Sequence, residues 1–152
     1  MPTVFEKLSN GWNADPNAPL PAVGLDKDHC WLRFAPNTWN NPSELSQGAL
    51  YLQFQDCHRF RFLPINDESW YKGQCRFSKL APAWGEFFSV TGNLLEEQEK
   101  TPWITVGHRP TCANHYLFYF RDELFECTAS SWELKTEKPD GLAFEGPVYH
   151  VQ

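Results

Sequence analysis

Leu50-Tyr51-Leu52-Gln53-Phe54-Gln55-Asp56-Cys57-His58-Arg59-Phe60-Arg61-Phe62 is the most informative run in the chain. Side chains of an extended segment point alternately to opposite sides. Leu50, Leu52 and Phe54 therefore share one side, with Tyr51, Gln53 and Gln55 on the other. Phe60 and Phe62 likewise oppose Arg59 and Arg61. One straight strand through the whole run would put Asp56 and His58 on the phenylalanine side, where burial without partners is costly. A loop at Asp56-Cys57-His58 avoids that cost. It predicts a hairpin with Phe54 opposite Phe60 and Leu52 opposite Phe62, all on one apolar side.

The same two-residue period recurs elsewhere. Cys30, Leu32 and Phe34 alternate with His29, Trp31 and Arg33. Residues 115–130 predict a second hairpin that turns near Asp122-Glu123. Phe120 would then face Phe125, Phe118 would face Cys127, and Tyr119 and Glu126 would face outward together. Further strands are expected at 75–79, 86–91, 103–106, 131–135 and 147–151. Helical signals are sparse. Thr3-Val4-Phe5-Glu6 fits a capping box, and Gly11 would end that helix. Asn41-Pro42-Ser43-Glu44-Leu45 suits one turn, and the acidic stretch 94–100 reads as a short helix or, equally, a solvated loop. The expectation is a mainly β fold: an antiparallel barrel or sandwich with one or two short helices. Residues 1–152 would form one domain, with 1–22 a short helix and an extended connection.

Composition agrees with that class and narrows the partners. Aromatic residues make up 16% of the chain, and their rings favour pleated, half-buried surfaces. The net charge of −6 argues against nucleic acid or an acidic membrane as partner. Residues 46–92 carry five basic and four acidic groups, whereas 93–152 carry five basic and ten acidic groups. Basic character is thus confined to the middle of the chain. No run approaches the roughly 18 apolar residues of a membrane helix. The opening residues do not read as a secretory leader. The five cysteines are odd in number and form no CxxC pair, so reduced thiols and a cytoplasmic location are expected.

No glycine-rich phosphate loop, GxSxG or HExxH motif occurs. Three clusters remain. Tyr51, Gln53, Arg59 and Arg61 form the polar side of the 50–62 run. Two arginines at i, i+2 suit a carboxylate or phosphate; the plainer reading is an ordinary solvated face. Trp70 and Tyr71, with Arg76 nearby, form a second candidate patch; the plainer reading is that Trp70 plugs the core. His108, Cys112 and His115 lie within eight residues and offer zinc-type donors, although the spacing matches no standard zinc module. A loop with an exposed histidine explains it more simply.

The leading expectation is therefore a non-catalytic binding module. It would take a small anionic ligand or a protein partner through Tyr51, Gln53, Arg59, Arg61, Trp70, Tyr71 and Arg76. One alternative is a metal- or thiol-dependent enzyme using the His108/Cys112/His115 cluster. Another is an acidic inhibitor or immunity-type protein that presents Glu96, Glu97, Glu99, Asp122, Glu123 and Glu126 to a basic partner.

Overall fold

The computed structural model describes residues 1–27, 29–38, 48–78, 80 and 83–147. Among the described residues ten strands run in chain order: β1 (Val4–Lys7), β2 (Ala22–Leu25), β3 (His29–Phe34), β4 (Leu50–Gln55), β5 (Arg59–Leu63), β6 (Phe87–Thr91), β7 (Ile104–Thr105), β8 (Asn114–Tyr119), β9 (Leu124–Ala129) and β10 (Ser131–Lys135). The helices among the described residues are α1 (Asp67–Tyr71) and a 3-10 turn, Glu96–Gln98. All the pairings are antiparallel. A six-stranded sheet has the order β1-β6-β8-β9-β5-β7, and a four-stranded sheet the order β10-β4-β3-β2.

The two sheets pack face to face as a sandwich. Alternation supplies the filling: Cys30, Leu32, Phe34, Leu50, Leu52 and Phe54 come from the small sheet. Phe60, Phe62, Phe87, Tyr116, Phe118, Phe125 and Cys127 come from the large one. Phe54 meets Phe87 and Phe125 across the layer, with ring centroids 5.9 and 5.8 Å apart. Such pairs add to the area they bury. The large sheet also carries a second apolar layer on its other face, where Leu63, Phe88, Leu117, Tyr119 and Leu124 meet Trp70 and Phe77. The connections flanking β6 supply that cover.

The 50–62 hairpin does not form. Phe54 pairs with Cys30 on one side and Trp132 on the other, while Phe60 pairs with Cys127 and Ile104. Asp56-Cys57-His58 is a corner that carries the chain from one sheet to the other, with Asp56 at φ 50°. Both apolar sets still face the same core, because crossing between the layers of a sandwich preserves the inward side. The polar sets part company: Tyr51 and Gln53 lie on the outside of the small sheet, Arg59 and Arg61 on the outside of the large one.

The second hairpin forms two residues out of the predicted register. Phe118 faces Phe125 and Tyr116 faces Cys127. The Phe120 N–H donates to the Glu123 carbonyl at 2.9 Å, so the turn falls at Arg121-Asp122, one residue earlier than expected and of the same length. A slip of two residues keeps every side chain on its face. Tyr119 and Glu126 do share the outer face, yet neither reaches solvent.

The predicted N-terminal helix is strand β1. Its backbone pairs with β6, and Phe5 lies edge-on to Phe77 and Phe88 at 5.3 and 5.5 Å. The Thr3 hydroxyl donates to the Asn93 carbonyl instead of capping a helix. Gly92, at φ +82°, allows this approach: a Cβ there would fall 1.9 Å from the Pro2 carbonyl oxygen. A sheet edge thus outcompetes a two-turn helix. No strand forms at 75–78, where the chain turns and Phe77 sits at φ 68°. Asn66 accepts from the Ser69 N–H at 2.9 Å and opens α1. Residues 41–45 and 148–151 lie outside the described residues.

Candidate functional site

The outer face of β5, β8 and β9 gathers charge beneath a lid. Arg61 and Glu126 are cross-strand partners, as are Arg59 and Thr128. His115 joins them from β8, opposite Thr128. Arg76 arrives from the connection after α1 and is held by its Nε, which donates to the Leu94 carbonyl at 2.6 Å. Glu126 is wholly buried and accepts from three groups. These are Arg61 Nε, Arg76 Nη1 at 2.9 and 3.1 Å, and His115 Nε2 at 2.7 Å. Burial raises the Glu126 pKa, but the hydrogen bond and charge of His115, then Arg76 and Arg61, outweigh it and hold the pKa at about 2. The carboxylate is therefore ionised, and His115 presents a proton on Nε2.

One carboxylate does not balance two guanidiniums. Arg61 Nη1 also donates to the Thr101 carbonyl at 2.5 Å, and Glu96 approaches its Nη2 at 3.8 Å. Trp103 lies against both neighbouring arginines, with ring centroids 4.0 Å from the Arg59 guanidinium carbon and 3.8 Å from that of Arg61. Buried His115 Nδ1 and Arg76 Nη2 have no hydrogen-bond partner among the described residues.

Above this cluster is a groove of about 400 Å³, lined by Arg59, Glu96, Arg109, Asn114, His115 and Thr128. Arg59 reaches Glu96 at 3.4 Å and the Thr128 hydroxyl at 3.2 Å. Burial lowers the Arg59 pKa; Glu96 opposes this, and the like charges of Arg61 and Arg109 add to it. Two guanidiniums, Arg59 and Arg109, and one carboxylate, Glu96, line the groove, while Arg61 and Arg76 share Glu126 beneath it, in a chain of net charge −6.

The sequence-predicted ligand residues divide. Arg59, Arg61 and Arg76 come together here. Tyr51 packs on Phe144 at 5.6 Å on the far side of the sandwich, and Gln53 shares its strand face. Trp70 is buried and Tyr71 is 64% exposed. His108 lines a different pocket, at the Cys57 corner. Cys112 is exposed, and His115 is committed to Glu126. Among the described residues no group of three or more His, Cys, Asp or Glu side chains is placed to hold a metal ion, so the His108/Cys112/His115 set is not assembled.

Sequence reasoning missed Trp103, Arg109 and the central role of Glu126. A glutamate alternating with Phe125 and Cys127 carries the pattern of a solvated face. The one signal was compositional, an arginine pair in a chain that is otherwise acidic. No family model, curated protein or solved structure matches this chain.

Proposed function

We propose that this protein is a non-catalytic binding module for a small anion, a carboxylate or phosphate compound, seated in the groove between Arg59 and Arg109. The observation that carries the reading is the excess of guanidinium over carboxylate at that groove. Two like charges held close favour an anion between them. Arginine donors match carboxylate and phosphate geometry. Asn114 and Thr128 add neutral hydrogen-bonding groups at the same wall. Glu126 serves as a fixed counter-ion that holds Arg61 and Arg76 beneath the groove. Tyr51, Gln53 and Trp70 have no part in this reading.

A protein partner is the weaker alternative, since Tyr71 is the exposed member of its aromatic pair. The acidic-inhibitor reading loses Glu126, which is buried, and Glu96, which is paired with arginines. No helix among the described residues is long and apolar enough to cross a membrane. All five cysteines are free thiols, which supports a reducing, cytoplasmic setting.

The test is titration calorimetry with inorganic phosphate and with a small dicarboxylate. Binding by the parent protein should weaken roughly 10-fold or more in Arg59→Ala and in Arg109→Ala, the scale of one charge-assisted hydrogen bond. Failure of the parent to bind either anion, or unchanged binding in both variants, would sink the reading.

A further inference from the structure

Three of the five cysteines meet at the corner between the sheets. Cys30 comes from β3 of the small sheet and Cys127 from β9 of the large one, both fully buried. Cys57 lies in the connection that joins the sheets. It packs in one buried cluster with Cys30 and Cys127, whose strand partners Phe54 and Phe60 flank that connection, and its thiol donates to the Arg59 carbonyl at 3.6 Å. Taken singly, each would be a small, inert core residue. Packed in one cluster at the corner, they form a set of neighbouring thiols.

Cys57 alone of the three also lines a pocket. That pocket has a volume of about 300 Å³ and is bordered by Asp26, His29, Asp56, Gly107 and His108. Its wall is firmly held. The His58 N–H donates to the Thr128 carbonyl at 2.8 Å, and the Val106 N–H donates to the His58 carbonyl at 2.9 Å. Gly107 crosses so close that a Cβ would sit 2.7 Å from the Cys57 carbonyl oxygen. Asp26 accepts from the Trp31 indole at 2.8 Å and from the His29 N–H at 2.8 Å. One thiol thus borders a pocket wide enough for a small oxidant, with two thiols behind it that solvent does not reach.

We propose that Cys57 is a peroxide-reactive thiol whose oxidised form is captured by Cys127 or Cys30, closing a disulfide that ties the corner to one of the two sheets. The Cys57 thiolate attacks one oxygen of hydrogen peroxide; the O–O bond breaks, and the departing hydroxide takes a proton and leaves as water. The neighbouring thiol then attacks the Cys57 sulfenic acid. The S–O bond breaks, an S–S bond forms, and the hydroxide leaves as water with the proton of the attacking thiol. Two thiols and one peroxide give one disulfide and two waters; sulfur loses two electrons and peroxide gains them. A low-molecular-weight thiol reverses the reaction by exchange.

The division of roles follows from the surroundings. Hydrogen bonds from Cys127 and then Cys30 lower the Cys57 pKa against its burial. The Cys30 pKa is raised, first by its hydrogen bond to Cys57 and then by burial. That of Cys127 is raised first by burial. Cys57, 6% exposed and bordering the pocket, is thus the thiol of the three whose pKa is lowered, as a peroxide-reactive thiol requires.

The experiment uses the full chain carrying Cys112→Ser, which removes the exposed thiol. Hydrogen peroxide is added without reductant, and the products are read by intact mass and peptide mapping. The expected product has lost two hydrogen atoms and contains a Cys57–Cys127 or Cys57–Cys30 disulfide, which dithiothreitol reverses. Cys57 should react at least ~10-fold faster than half-buried Cys75, whose pKa is raised by burial. Adding Cys57→Ser should leave Cys30 and Cys127 as free thiols. Adding Cys30→Ser and Cys127→Ser together should stop Cys57 at a sulfenic acid that dimedone traps. If these further variants do not fold, the map of the Cys112→Ser protein alone decides. A Cys57 that stays reduced, reacts no faster than Cys75 or pairs with any other cysteine overturns the proposal.

Discussion

The two outward faces of the sandwich arise from the same alternation and end in different states. On the small sheet, Arg33, Gln53 and Lys135 are half-buried and Glu133 is exposed. A thin strip near the C-terminus crosses that face and lays Phe144 against Tyr51 and beneath Arg33, with the Arg33 guanidinium carbon 5.2 Å from the ring. On the large sheet, the connections before and after β6 form a full second layer. They seal Arg61, Arg76, His115 and Glu126 away from water. Alternation says which side a residue is on. The chain that returns over that side determines whether a charge there meets water or must find a partner.

The largest contrast expected is between two glutamates. Glu126→Gln leaves two buried guanidiniums without their counter-ion and should lower unfolding free energy by about 3–5 kcal/mol. Glu133→Gln removes only an exposed pair with Lys135 and should stay within about 0.5 kcal/mol. Urea denaturation of both variants measures the difference. Equal effects would mean that the second layer does not seal the large sheet.

Acid should reveal the same asymmetry. The folded-state pKa of Glu126 is depressed from 4.5 to about 2. Its stabilisation is therefore present above pH 4.5 and is lost as pH falls toward 2. Stability of the parent protein should drop through this window, and Glu126→Gln should remove much of the drop. Chemical denaturation at several acidic pH values checks it. An unchanged profile in the variant would place the titration elsewhere.

Smaller effects separate the aromatic braces. Trp103→Leu loses contact with two guanidiniums and should cost about 1–2 kcal/mol, measured by thermal unfolding. Phe144→Leu weakens a looser contact with Arg33 and should cost about 0.5–1 kcal/mol. The smallest effect expected is on anion binding from the far side. Arg33→Ala and Gln53→Ala should leave phosphate affinity unchanged in the calorimeter. A loss in either would move the ligand to the small sheet.

Much of this was legible beforehand. The phenylalanines and leucines of 50–62 do face one core, Cys30, Leu32 and Phe34 do share a side, and Trp70 is the buried ring of its pair. The separation of β4 and β5 into different sheets was not legible, because a hairpin and a sheet-switching corner place the same residues inward. Nothing local distinguishes them except the absence of a turn glycine at 56–58. The candidate site was half visible. Arg59 and Arg61 stood out by their spacing, while Arg109 and Trp103 lie some 40–50 residues further along the chain, and only the closing layer brings them near.

Periodicity in the amino acids set the secondary structure and the inward side of the main strands, since a period of two is a property of the extended backbone itself. The partners of each strand, the burial of Glu126 and the meeting of three thiols depended on how distant segments pack. Those outcomes rest on contacts between residues far apart in the chain, where the energy of burying a charge or a ring depends on what covers it.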